Sequence, residues 1–153
     1  MKEEDAEFDF TKQVGHLLRK ALQRNQAIYG RLSVDSKMTS MQFAVMYTLE
    51  KLGPSSLAVI GRKAAIDAAT TRDVVKRLES RGFVSVVPDE SDRRKSVVAL
   101  EESGRKMIDA MRPRSRKVAE LTMAGLNPAE RVALVYLLQK ITDDTNDEVR
   151  QSG

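Results

Sequence analysis

The stretch from Leu57 to Leu100 constrains this chain more than any other, because helical and strand periodicities follow one another in it at short, fixed intervals. Residues 57–65 are mostly small or aliphatic and read as a helix, and Ser55 and Ser56 are available to cap its first amides. Ile66 and Asp67 mark a turn, with Asp67 as the N-cap of a second helix over residues 68–81. Within it Thr71, Val74, Val75 and Leu78 recur at steps of three and four, so they share one buried face. Ala68, Ala69, Arg72, Asp73 and Lys76 are left on the other side, and with Thr70 and Arg77 they form the predicted reading surface. Small residues near the helix N-terminus permit close approach to a major groove, where Arg72 can pair with guanine and Lys76 with guanine or phosphate. Gly82 stops the helix. Residues 83–87 and 96–100 are rich in β-branched side chains and read as paired strands. The polar segment 88–95 between them is a tip from which an arginine can enter a minor groove. Two short helices followed by a ribbon with a charged tip predict a winged helix-turn-helix whose partner is double-stranded DNA.

The run Val-Val-Lys-Arg-Leu-Glu-Ser-Arg-Gly-Phe-Val at 74–84, Asp89 with Asp92-Arg93-Arg94, then Leu100 and Gly104-Arg105, in that order and spacing, resembles the MarR family of bacterial transcription regulators. The resemblance extends from about Phe10 to the last helix. It implies a mainly α fold with a small antiparallel β-wing, in which a winged helix-turn-helix head is carried on long N- and C-terminal dimerisation helices. It also implies that Asp92 and Arg94 hold the wing together while Arg93 meets the groove, and both arginines belong to the expected DNA-binding set. Glu101 stands where the family carries a capping threonine, so the next helix is expected to start more loosely or with another cap.

At 153 residues the chain fits one domain, and 41% apolar content is enough for a core. The absence of cysteine removes disulfides, thiolate metal sites and thiol redox sensing, a route several members of the resembled family use. Residues 1–7 are acidic and lack an apolar core, which argues against a signal peptide, and no apolar run is long enough to span a bilayer. A cytoplasmic protein with no membrane partner is expected. The net charge of +4 is unevenly spread: residues 55–117 hold 15 Lys and Arg against 9 Asp and Glu, while residues 1–10 hold one lysine against five acids. Such a surplus alone often means a solvated surface; its place in the predicted reading head makes it a nucleic-acid footprint.

Around the head, residues 9–33 read as one long amphipathic helix with Phe10, Val14, Leu17, Leu18, Ala21, Leu22, Ile28 and Tyr29 as its stripe. Part of that stripe is expected to meet a second subunit. After a break at residues 36–39, Thr39 or Ser40 caps a helix over 41–52 that Gly53-Pro54 terminates. Its Phe43, Met46 and Tyr47 read as core, or alternatively as the wall of an adaptable pocket. A second long helix runs from Glu102 to about Ala124 with Met107, Ile108, Met111, Val118 and Leu121 inward, and Pro113 is expected to kink or interrupt it. Arg112, Arg114, Arg116 and Lys117 there are either a DNA-backbone patch or a solvated face. Asn127, Pro128 and Glu130 form a helix start, and the following segment, 131–141, is apolar nearly all round. Such a helix needs burial on two sides, which a homodimer with interlocked first and last helices provides. Residues 1–153 thus read as a single MarR-like domain, with 9–33 and 102–149 mainly for dimerisation and 39–100 as the DNA-binding lobe. Two heads related by a two-fold axis match a palindromic operator. The polar tail from Asp143 is expected to fray.

Catalysis is not expected. His16 is the only histidine, it has neither an acidic partner on its helix face nor a nucleophile, and no phosphate loop or metal-ligand spacing appears, so no cofactor is predicted. His16 reads as a partly exposed residue of a dimer helix. The family resemblance implies a second role, since members bind small anionic aromatic or phenolic effectors in a crevice between the dimer helices and the DNA lobe. His16 and Arg19 would then hold the carboxylate or phenolate, with Phe43, Met46 and Tyr47 as the apolar wall. Residues 15–29 are similar to a MarR subgroup controlling breakdown of aromatic acids, although Leu22 and Asn25 stand where that subgroup is expected to carry histidines. The function expected is a homodimeric, sequence-specific regulator, a repressor by the family's commoner habit, released from DNA by its effector. An architectural DNA-binding protein without ligand sensing, or a winged-helix protein-interaction module, are the alternatives.

Overall fold

A computed structural model describes residues 8–143, and the acidic N-terminal segment and the polar tail beyond Asp143 lie outside the described residues. The described residues form six helices and a three-stranded antiparallel sheet. A 3-10 turn at Phe10–Lys12 precedes α1 (Val14–Leu32), and Gln13, extended at φ −70° and ψ 139°, separates the two. The long first helix therefore starts five residues later than the predicted start at residue 9, and Phe10 folds back onto His16 with ring centroids 4.8 Å apart. Asp9 sets this turn by accepting from the Thr11 amide at 2.9 Å, which competes locally with helix formation.

The head begins at α2 (Ser40–Leu52), whose Thr39 and Gln42 complete a reciprocal capping box at 3.1 Å in each direction. Gly53 ends it at φ 78°, a left-handed conformation that leads the chain into β1 (Ser55–Ser56). This strand adds a third member to the expected two-stranded ribbon: Ser55 pairs with Val98 and Ser56 with Val97. Ser56 alone caps α3 (Leu57–Ala64), accepting from the Val59 amide, while the Ser55 hydroxyl donates to the Gly53 carbonyl. Ala65 takes the left-handed conformation, φ 56°, and closes α3 one residue earlier than predicted. After α4 (Ala68–Ser80), Gly82 at φ 74° opens β2 (Val84–Pro88), which pairs with β3 (Ser96–Leu100) from Val84 with Leu100 to Pro88 with Ser96. The sheet order is β1-β3-β2.

One apolar cluster binds the head together, joining Val45, Met46 and Leu49 of α2, Ile60 of α3, Val74, Val75 and Leu78 of α4, Val84, Val98 and Leu100 of the sheet, and Ile108 of α5 (Glu102–Thr122). A second cluster, Ile28, Tyr29, Met111 and Val118, seals α1 along α5. Polar ties follow the same seam: Asn25 Nδ2 donates to Thr122 Oγ1 at 3.0 Å, and Arg24 and Arg114 donate to the carbonyls of Leu121 and Leu32.

Pro113 neither kinks α5 to a break nor ends it; the helix is continuous across it. Pro113 and Asp109, the residue whose carbonyl loses its amide partner, both lie on the exposed side, so the missing bond does not leave a buried orphan. Glu101 is the N-cap of α5 without a side-chain bond, as the missing threonine implied, and the start is secured instead by the Ser103 hydroxyl on the Gly82 carbonyl at 2.6 Å and the Glu101 amide on Phe83 at 3.0 Å. Asn127 and Glu130 build the expected capping box of α6 (Pro128–Thr142). No residue of α6 is buried: Val132, Tyr136, Leu137 and Ile141 are each more than half exposed, as are Val14 and Leu22 on α1.

Among the described glycines, Gly104 at the junction between the wing and α5 has the closest neighbours. A Cβ on Gly104 would meet the Phe83 carbonyl oxygen and Leu100 Cδ1 at 2.5 Å each. Gly104→Ala is expected to destabilise the protein by about 1–3 kcal/mol through forced displacement, seen as a lower melting temperature at fixed protein concentration; an unchanged melt would show that the wing hinge is free to move.

Candidate nucleic-acid interface

The reading helix is α4. Asp67 caps it by accepting from the Thr70 amide at 2.8 Å and from the Thr70 hydroxyl at 2.6 Å. These bonds hold the Asp67 carboxyl below the usual carboxylate range. Thr71, Val74, Val75 and Leu78 are buried as their spacing predicts. Ala68, Ala69, Arg72, Asp73, Lys76 and Arg77 are exposed and Thr70 is half-buried. At 100° per residue, Ala69, Asp73 and Lys76 lie opposite the buried stripe, whereas Thr70 and Arg77 sit on one flank. Asp73 and Arg77 pair with each other at 3.0 Å, so part of Arg77's charge is already answered within the helix.

On the other flank, Arg72 faces a shallow groove between α3, α4 and the wing that is also lined by Ser56, Leu57, Ala58, Arg94 and Lys95. Arg62 and Ala68 border its adjoining end. Arg62 and Lys95 did not stand out from the sequence, because their place beside Arg72 depends on how α3 and the wing pack. The wing tip is held by carboxylates. Asp89 accepts from the Ser91 amide at 2.8 Å, the Ser91 hydroxyl at 2.6 Å and the Asp92 amide at 3.3 Å, and these donors keep its carboxyl below the ordinary range. Asp92 in turn accepts from the Arg94 amide at 3.1 Å and Nε at 3.2 Å. Arg93 is exposed at the tip, outside this network. The surface therefore offers cations on a convex helix, a groove beside it and an arm beyond it, an arrangement suited to duplex DNA and lacking a nucleophile–base pair.

The residues proposed from sequence for a ligand do not converge in one chain. Met46 is fully buried in the head core and cannot line an open pocket. Phe43 and Tyr47 stack at 6.0 Å on a face of α2 that turns toward α1 and α5, where Tyr29 and Arg112 approach them. Arg19 lies ten residues before Tyr29 on α1, roughly 15 Å away along the helix axis, and His16 lies farther still, packed on Phe10. The cleft between α1 and the head is elsewhere: about 570 Å³, walled by Leu22, Asn25 and Gln26 of α1, Ser40, Met41 and Ala44 of α2, Ala64 at the end of α3, Ala65 and Ile66 in the turn, the α4 cap Asp67, and Thr70 of α4. Leu22 and Asn25, the two departures from the aromatic-acid subgroup, are thus cleft residues. Arg19 is one helical turn from Leu22 on the same side of α1, at the cleft's edge. Of the four basic residues on α5, Arg112 forks onto Glu50 at 2.6 and 2.7 Å, Arg114 donates to the Leu32 carbonyl, Lys117 pairs with Glu120 on the surface, and Arg116 is exposed. Among the described residues no cluster of His, Cys, Asp and Glu suits a metal, and no helix is long and apolar enough to cross a membrane.

Residues 38–96 match the MarR family model. Over 136 residues, 89% of this chain and 86% of the other, the sequence is 48% identical to the HTH-type transcriptional repressor NicR of Pseudomonas putida KT2440. The chain belongs to the MarR family. It is a transcriptional regulator and not an enzyme. Among solved structures, BpsR of Bordetella bronchiseptica, described by the regulation of its DNA binding by 6-hydroxynicotinic acid, superposes with a TM-score of 0.82 at 45% identity, covering 90% of this chain and 98% of that one. PcaV of Streptomyces coelicolor in complex with its natural ligand gives 0.80 at 26% identity, over 90% and 97%. In this MarR protein the family model covers the head, while α1, α5 and α6 are matched through the full-length relatives.

The Asp67 cap has a pH signature. Its folded pKa is depressed, so its contribution is complete above the unfolded value of about 3.9 and fades as pH falls through the lower folded value. Asp67→Asn keeps an acceptor for the Thr70 amide but takes up no proton. The stability advantage of the native protein over this variant should therefore shrink on acidification from pH 5 towards 2 in urea melts; a pH-independent difference would assign the acid response to other carboxylates.

Proposed function

We propose that this MarR protein is a homodimeric repressor that reads a palindromic operator in the bacterial cytoplasm and releases it when a small aromatic carboxylate fills the cleft between α1 and the head. The observation that carries this reading is that the cleft floor and the reading helix share residues: Asp67 and Thr70 line the cavity and also form the N-terminal cap of α4. In the proposed complex Arg72 and Lys76 contact base edges or phosphate, Ala68, Ala69, Thr70 and Asp73 face the groove, Arg77 lies at its margin, and Arg93 enters the minor groove from a wing held by Asp92 and Arg94.

The cleft chemistry supports an anionic ring. Leu22, Met41, Ala44 and Ile66 supply apolar walls, and the amides of Asn25 and Gln26 supply donors. The N-termini of both α2 and α4 open onto it, and their dipoles favour a carboxylate. Arg19 adds a cation at the edge. Asp67, an acceptor on the floor, suits a ligand that also carries a hydroxyl or ring N–H. A hydroxylated pyridine or benzene carboxylate meets these demands, and 6-hydroxynicotinic acid, which regulates BpsR, is the first compound to test. Homodimerisation is supported by the bare apolar faces of α6 and α1, which burial against a second copy would cover. A ligand bound preferentially to one spacing of the two heads lowers DNA affinity by its own difference in affinity for the two states.

The test is a fluorescence-anisotropy titration of the protein on its own upstream promoter and on a scrambled duplex, at two salt concentrations, with and without 6-hydroxynicotinate. A promoter preference that the ligand removes is expected. Arg72→Ala should cost the promoter about 1–3 kcal/mol, roughly five- to 150-fold, while leaving scrambled DNA almost as before. Equal affinity for both duplexes would point to an architectural protein, and binding to neither would place the head among protein-interaction modules.

A further inference from the structure

The reading helix is held at its two ends in opposite ways. Its N-terminus faces the open cleft, whereas its C-terminus is tied through Arg81 to the helices that carry the head. Arg81 is the C-cap of α4, and its guanidinium forms an ion pair with Asp35 in the segment between α1 and α2. The same guanidinium lies over the Phe83 ring, 4.7 Å from its centroid, at the start of the wing. Both side chains of the pair are about a quarter exposed, 25% and 24%, so solvent screens the contact less than it does the other pairs of the head.

Asp35 is itself anchored. Its carboxylate accepts from the Lys37 amide at 2.8 Å, and its carbonyl accepts from the Ser33 hydroxyl at 2.7 Å and the Met38 amide at 2.9 Å. The segment is fastened to α5: the Val34 amide points at Met111 Sδ, 3.5 Å away, and Arg114 donates to the Leu32 carbonyl at 3.1 Å. A continuous set of polar contacts therefore runs from α5 through Asp35 to Arg81 and ends on the wing. None of these groups lies on the DNA-reading surface described above.

We propose that Arg81, held by Asp35, is a positioning residue: the pair is the pivot that sets the angle of the reading helix on the α1–α5 platform, and so the half-site spacing the dimer accepts. This rests on the two-headed reading given under the proposed function. The lever is long. From Arg81 to Asp67 is 14 residues, roughly 20 Å of helix. A rotation of about 10° at the pivot moves the far end by roughly 3.5 Å, close to the rise of one base pair. A head without its pivot should tolerate a one-base-pair error in spacing that the native head rejects.

The experiment compares anisotropy titrations of the full-length protein on its footprinted palindrome and on the same duplex with one base pair inserted between the half-sites. The native protein is expected to discriminate about tenfold or more. Asp35→Asn should bring the two affinities within about threefold, mainly by gaining on the expanded site relative to the native one, and Asp35→Glu should restore discrimination. Thermal melts run alongside separate this from general loosening, since a merely structural role would lower the melting temperature and both affinities together and leave their ratio intact. An unchanged ratio in Asp35→Asn overturns the pivot while leaving the dimeric repressor standing. Absence of any spacing preference in the native protein overturns both.

Discussion

The close approach of α3 to α4 at Gly61 and Thr71 is the contact on which the reading head depends. Thr71 is fully buried, yet its hydroxyl is satisfied by donating to the Asp67 carbonyl at 2.8 Å, which offsets the cost of taking a polar group into the core. Opposite it, a side chain at position 61 would place a Cβ 2.9 Å from Thr71 Oγ1 and 3.0 Å from the Ile66 carbonyl. Only glycine lets the two helices meet at this distance without displacement. With the crossing fixed there, Val74, Val75 and Leu78 point into the shared core and Arg72 and Lys76 point out. The orientation of the cations follows from a packing contact that contains no charge.

The remaining helices divide between support and unsatisfied surface. The α1–α5 seam is apolar at its centre: Tyr29 is 5% exposed, its buried hydroxyl has no hydrogen-bond partner among the described residues, and burial raises its phenol pKa so that it stays neutral. On α6 the sequence places apolar residues on every side, and the fold of one chain covers almost none of them. Helix propensity and a strong N-terminal cap are enough to define the helix, but an exposed helix of this composition is costly in water. The bare apolar residues of α6 and of the first half of α1 lie on elements other than α4 and the wing tip, so a partner can be taken up there without drawing on the reading residues.

Most of the head was legible because its signals are local. A cap and the periodicity after it lie within one or two turns, as Asp67 with Thr71, Val74, Val75 and Leu78 illustrates, and the same holds for Thr39 with Gln42 and for Asn127 with Glu130. Features built from distant segments were not. The strand at Ser55–Ser56 has no β-branched residue and exists only because Val97 and Val98 pass beside it. The cleft combines four segments, and composition could not tell which face of α2 would open onto it: Met46 went to the core and Met41 to the cavity. The start of α1 was misplaced because an Asp9–Thr11 turn outcompeted an otherwise continuous apolar stripe. Of the two effects expected of Pro113, interruption does not occur: the proline is on an exposed side, where the carbonyl it frees is not buried, and the helix continues.

The position of the cleft has a consequence for how occupancy would reach DNA in the proposed mechanism. A pocket buried within the head core would have to deform close-packed side chains, which cores resist, whereas one at a helix cap acts on the helix end that is least constrained. The first amides of α4 lack partners within the helix, and Asp67 answers them from the cleft side. An occupant that bonds to Asp67 or Thr70 competes for those groups directly. The nearest exposed residues on the helix, Ala68 and Ala69, have no long side chain to absorb a shift of the backbone. Movement at the cap would therefore be passed on to the reading surface within one turn, without a pathway through the protein interior.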